Sequence, residues 1–167
     1  MLLVIRGHLI LEHVLISFIQ TGLSKSSALK IDRLNFPAKT ELAIAMGLLP
    51  EDLSPVLLYV NNMRNNFAHD LNFKISPAVI EEFFKKFPKQ GQEILLQDDN
   101  GSTQSVSLEN IRFASFFEVL FVLLDLTRHH YTEWLQHKIE AENRLHDAVT
   151  NLKEVMRTTD QNKLESE

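Results

Sequence analysis

The chain has 167 residues, 44% of them hydrophobic, which is enough for one folded domain with a real core. Five glycines and five prolines favour long regular elements over a loop-rich all-β design, and the absence of cysteine excludes disulfides and thiolate metal sites, in keeping with a reducing cytoplasm. A net charge of -5 excludes a uniformly basic nucleic-acid surface, so any RNA contact must come from a local patch.

Residues 2–20 are apolar almost all round a helix, as expected of a buried or dimer-facing first element. Arg6, His8, Glu12 and His13 interrupt this stretch too early for a signal-peptide core. The later apolar run, 113–124, contains Glu118 and falls short of the roughly 20 residues a spanning helix needs. No membrane segment is therefore expected. Gly22 and the serines at 24, 26 and 27 punctuate the first helix.

A second helix is expected over 37–48, with Pro37 suited to its first turn. A third should span 51–70, opened by acidic residues that complement the helix dipole. A fourth starts at the cap Ser76 and Pro77, presents Val79, Ile80, Phe83, Phe84 and Phe87 to the core, and stops at Pro88. Residues 89–107 differ. Two short runs, 93–97 and 105–107, flank Asp98-Asp99-Asn100-Gly101, which reads equally as a hairpin or as a surface loop.

From 108 to about 156 the pattern is helical, with room for one break. Its first half is rich in phenylalanine and belongs to the core. Its second half carries Tyr131, Trp134, Leu135, Ile139, Leu145, Val149, Leu152 and Met156 among many charges, an amphipathic helix longer than a compact domain requires. Such a helix could pack on a partner or on a second copy of itself. Residues 157–167 read as a disordered tail, leaving 1–156 as one helical domain.

Chemistry concentrates in Asn61-Asn62-Met63-Arg64-Asn65-Asn66-Phe67-Ala68-His69-Asp70. At about 100° per residue, Val56, Val60, Met63 and Phe67 share the core side, while Asn61, Arg64, Asn65, Ala68 and His69 fall on the other. Arginine offers a rigid fork of donors for a phosphate, histidine moves protons near neutral pH, and asparagine orients water, hydroxyl or imidazole. Together they suit metal-free RNA cleavage: a base takes the proton of a 2′-hydroxyl, and the guanidinium stabilises charge on the phosphorus oxygens. One arginine and one histidine make a thin site, which two copies related by a two-fold axis would double. The competing reading is an arginine and a histidine placed by chance on a solvated helix face. In the first helix, His8 and Glu12 lie one turn apart beside an apolar face and so need partners. Arg64 is a candidate for Glu12, and a purely structural pairing with His8 or Arg6 is the alternative.

The segments Arg6-Gly7-His8-Leu9 through Leu11-Glu12, Leu42-Ala43 through Ala45-Met46-Gly47-Leu48, and Arg64-Asn65-Asn66-Phe67-Ala68-His69 resemble HEPN domains, whose signature is R-x4-6-H, and in particular small prokaryotic members related to the mannitol-repressor-like group. The resemblance covers residues 1–85. It implies an up-and-down bundle of four to five helices, a homodimer, no cofactor or metal, and a cytoplasmic endoribonuclease acting as a toxin or phage-defence effector. It further implies Arg64 and His69 as catalytic, Asn65 as auxiliary, RNA as substrate, and an antitoxin or other protein as partner; Glu12, Asn61 and His8 are added as supporting residues from their placement on the first and third helices. Leu71 stands where some toxins of this kind carry a modified tyrosine, so control by that modification is not expected. Some mannitol-repressor-like relatives act by binding alone, which makes a regulatory or protein-binding module the alternative.

Other signals are weaker. His129, His130 and His137 lack a matching carboxylate cluster and do not suggest a metal site. Lys85, Lys86 and Lys89, or Lys25, Lys30, Arg33 and Lys39, are the available basic groups, each read as a solvated face. Tyr131 and Trp134 are read as core or interface rather than base-stacking platforms.

Overall fold

The structure, a computed structural model, describes residues 2–23, 25–70, 72–97, 108 and 111–164. Among these described residues are six α-helices: α1 (Leu2–Gly22), α2 (Phe36–Ala45), α3 (Ser54–His69), α4 (Pro77–Lys86), α5 (Lys89–Leu95) and α6 (Phe113–Leu164). No strand occurs among the described residues, so the all-α expectation is met. The chain divides into two compact units, residues 1–128 and 129–167.

The first unit is built on α1. Val4, Leu11, Leu15 and Ile19 have no exposure at all, and the helix packs against α2 and α3. α1 is also long and apolar enough to cross a membrane, with a mean hydropathy of 1.8, a property that the central helix of a bundle shares. Gly7 lets α1 meet α6: a methyl group there would collide with the Phe117 ring. The Phe117 ring belongs to a phenylalanine cluster joining α4 to α6. Phe83 stacks on Phe116 at 5.0 Å, and Phe87 and Phe113 complete the group.

Local chemistry fixes the helix ends. The Asn35 side chain accepts the Ala38 N–H at 2.9 Å and starts α2 one residue before Pro37. Gly47, at φ 70°, ends it: the Gly47 N–H donates to the Ile44 carbonyl and the Leu48 N–H to the Ala43 carbonyl, a Schellman closure. α2 is thus shorter than the expected 37–48. A single 3-10 turn, Glu51–Leu53, precedes α3 and takes up the first residues expected in it. Ser76 caps α4 through the Val79 N–H, as expected.

Two expectations are corrected. Glu93, Ile94 and Leu95 are helical, not an extended hairpin arm. Pro88 opens α5, Gly91 lies against Phe87 and Leu123, and Leu95 is buried, so the apolar residues pack on one helical face. The rest of that expected hairpin or loop, 98–107, lies outside the described residues. The second correction concerns the tail: α6 continues through Leu164, a stretch with no glycine or proline to stop it.

The second unit holds the distal part of α6, from 129 through Leu164. Trp134, Ile139, Leu145, Leu152 and Met156 are each more than half exposed within it. Tyr131 and Trp134 stack at 5.8 Å, and the Lys138 ammonium sits 5.3 Å from the Trp134 ring centre. Trp134 is therefore not a core residue of this unit.

Candidate functional site

α3 is positioned by Val56, Val60 and Met63, all buried, and Phe67, half-buried and edge-on to Phe73. Tyr59 anchors the same helix by donating its hydroxyl to the Val79 carbonyl at 3.2 Å and stacking on Phe83. Burial of that hydroxyl raises the Tyr59 pKa above its ordinary value, and the Glu82 carboxylate adds to the effect.

With the core side so fixed, Arg64, Ala68 and His69 are exposed, while Asn61 and Asn65 are half-buried. The Arg64 guanidinium donates from Nη1 to Asn65 Oδ1 at 3.1 Å. Among the described residues no carboxylate forms an ion pair with Arg64, and no hydrogen bond engages the His69 ring. The guanidinium and the imidazole thus both face solvent from the last turns of one helix, with the small Ala68 between them.

The supporting residues form a second, buried layer where α1, α2 and α3 meet. His8 is 6% exposed, packs its ring on Phe36 at 4.6 Å, and donates from Nε2 to Asn61 Oδ1 at 3.1 Å. Burial lowers the His8 pKa and outweighs the Asn61 hydrogen bond and the nearby Glu12 charge, which raise it; Arg64 and Lys39 push it further down. The imidazole is therefore held neutral. The Arg64 charge reaches His8, so the outward stripe and the buried layer share one electrostatic environment.

The partner of Glu12 is none of those expected. Glu12 binds neither Arg64, His8 nor Arg6 but Lys39, whose ammonium lies 2.6 Å from Glu12 Oε1. Lys39 was expected on a solvated face and is 2% exposed instead. The signal for it was in the spacing: Phe36, Lys39, Thr40 and Ala43 fall on one face of α2, and that face is buried. A lysine on it requires a carboxylate, and Glu12 supplies one.

The other sequence signals form pairs of their own. Lys85 and Lys86 are paired with Glu81 and Glu82 one turn earlier on α4. The Glu82 carboxyl pKa is lowered and the Lys85 pKa raised by those same-helix bonds. His129 lies 3.3 Å from Glu133, and no cluster of three or more metal-ligating side chains exists among the described residues. A cleft of about 380 Å³ opens between α1 and α6, with His13, Ser17, Asp125 and Arg128 on its walls, and no residue of α3 lines it.

The fold places the chain among all-α helical proteins. Comparison with known protein families, curated proteins and solved structures finds no match.

Proposed function

We propose that this protein is a metal-independent endoribonuclease of the HEPN type, working in the cytoplasm as a homodimer, in the manner of a toxin or phage-defence effector. The observation that carries the reading is the placement of Arg64 and His69 on the solvent side of one helix end, with the guanidinium held by Asn65 and taken by no carboxylate among the described residues.

In this reading the Arg64 fork binds the scissile phosphate. His69 takes the proton of the neighbouring 2′-hydroxyl, whose oxygen attacks phosphorus. The P–O5′ bond breaks, and the leaving oxygen takes a proton from a protonated His69 of the second copy. The products are a 2′,3′-cyclic phosphate and a 5′-hydroxyl. His8 and Asn61 tie α1 to α3 and fix the direction of the outward turns, and the Glu12–Lys39 pair does the same between α1 and α2. A HEPN-like core would then be made by four or five of the six described helices, and a cognate antitoxin would cover the Arg64 face.

Purified protein with chelator present should cut a panel of RNAs to 2′,3′-cyclic phosphate ends, and His69→Ala should lower the rate by about 100-fold or more. Equal behaviour of wild type and variant on that panel would end this reading. A second reading, a non-catalytic regulatory or protein-binding module like mannitol-repressor-like proteins, is favoured by Leu2, Leu3, Leu9 and Ile10, which α1 leaves exposed. It expects wild-type expression to be harmless to the host cell, whereas the nuclease reading expects toxicity that His69→Ala abolishes.

A further inference from the structure

From the distal part of α6 we infer an antiparallel coiled coil between two copies of this chain, in a single register set by Lys138 and Glu142. The inference concerns the second unit and stands whether or not the Arg64 face cuts RNA.

Tyr131, Leu135, Lys138, Glu142, Leu145, Val149, Leu152 and Met156 alternate by four and three residues, the spacing of a coiled-coil seam. Leu145, Val149, Leu152 and Met156 are 67%, 45%, 66% and 60% exposed and Tyr131 and Leu135 half-buried, so the distal half of the stripe is uncovered within one copy. The opposite side of the helix is charged, with Arg144 paired to Glu140. An apolar stripe broken only by Lys138 and Glu142, on an otherwise polar helix, needs a partner surface of matching pattern.

The two charges within the seam select the partner's direction. In a parallel pair in register, Lys138 meets Lys138 of the second copy and Glu142 meets Glu142, two like-charge contacts at the interface. In an antiparallel pair centred on Glu140, Lys138 faces Glu142 of the second copy and Glu142 faces its Lys138. The same register sets Leu135 against Leu145 and Tyr131 against Val149. Sliding by one heptad in either direction leaves both charges against apolar side chains.

The flanking positions agree. Beside the seam, the centred register brings Trp134 over Ala148 of the second copy, a large side chain against a small one, and Ala141 near its own mate. Among the described residues no ion pair engages Glu142 within the chain, which leaves it free to meet the second lysine. Residues 131–149 would overlap over about 27 Å at the helical rise.

The chain has no cysteine, so engineered thiols report the register directly. In the full-length protein under mild oxidation, a mixture of Leu135→Cys and Leu145→Cys should give a disulfide-linked dimer, and neither variant alone should. Each variant cross-linking to itself means a parallel coil and overturns the inference, as does no cross-link in the mixture. Independently, Lys138→Glu should weaken the dimer about ten-fold or more by sedimentation, and the added Glu142→Lys should restore it. A double swap that fails to restore the dimer also overturns it.

Discussion

At the scale of single residues, the Glu12–Lys39 pair and His8 decide how the α1, α2 and α3 junction behaves. Lys39 is 2% exposed and the Glu12 side chain 29%, so the two removals are unequal. Glu12→Ala strands a buried ammonium and should cost about 2–4 kcal/mol in a urea melt. Lys39→Met leaves only a carboxylate that can turn to water, keeps the volume of the lysine stem, and should cost less than Glu12→Ala. Equal losses would mean that the pair contributes packing and no electrostatics. His8 gives a pH signature. Its folded pKa lies below 6.5, so the unfolded chain binds the proton more readily. Stability is full above pH 6.5 and falls as pH drops from there towards the folded value, below which the loss levels off. Subtracting the stability profile of His8→Gln, which keeps a donor for Asn61, from that of wild type should isolate this slope. A flat difference between pH 7 and pH 5 would contradict the buried neutral imidazole.

At the scale of elements, legibility in the sequence followed periodicity. The core side of α3, with Val56, Val60 and Met63, could be placed from 100° spacing alone, because a strongly patterned helix has one way to bury its apolar face. The start of α4 was equally legible, since Ser76 and Pro77 are a cap and a first turn with a known mechanism. α5 was not. Seven residues are too few for a helical period to stand out, and the Asn-Gly pair that follows reads equally as a hairpin or a surface loop. The Glu12–Lys39 pair was legible only in part: the spacing of α2 puts Lys39 on its apolar face, but which carboxylate reaches it depends on tertiary packing that no local pattern records. A further element-scale test is Gly7→Ala. The added methyl group meets the Phe117 ring, α1 and α6 must separate, and a loss of about 1–3 kcal/mol is expected in thermal or urea unfolding. No loss would mean that this contact is looser than the structure has it.

At the scale of the whole molecule, a helical chain presents two distinct surfaces with different physical characters. The first unit carries a polar stripe ending in Arg64 and His69 above a buried layer that holds His8 neutral. The second carries an exposed seam of apolar residues broken by one lysine and one glutamate. The helical class was legible from scarce glycine and proline and from long periodic runs, and the outward direction of Arg64 and His69 from their positions on α3. Whether two copies bring those groups together is a property of assembly, and no single-chain pattern encodes it. The most direct test of the proposed chemistry is the single-turnover rate of RNA cleavage, measured with chelator present, for wild type, Arg64→Ala and His69→Ala. The account expects rapid cleavage by wild type and a loss of about 100-fold or more in each variant. Cleavage that needs added metal, or that survives both substitutions, would contradict it.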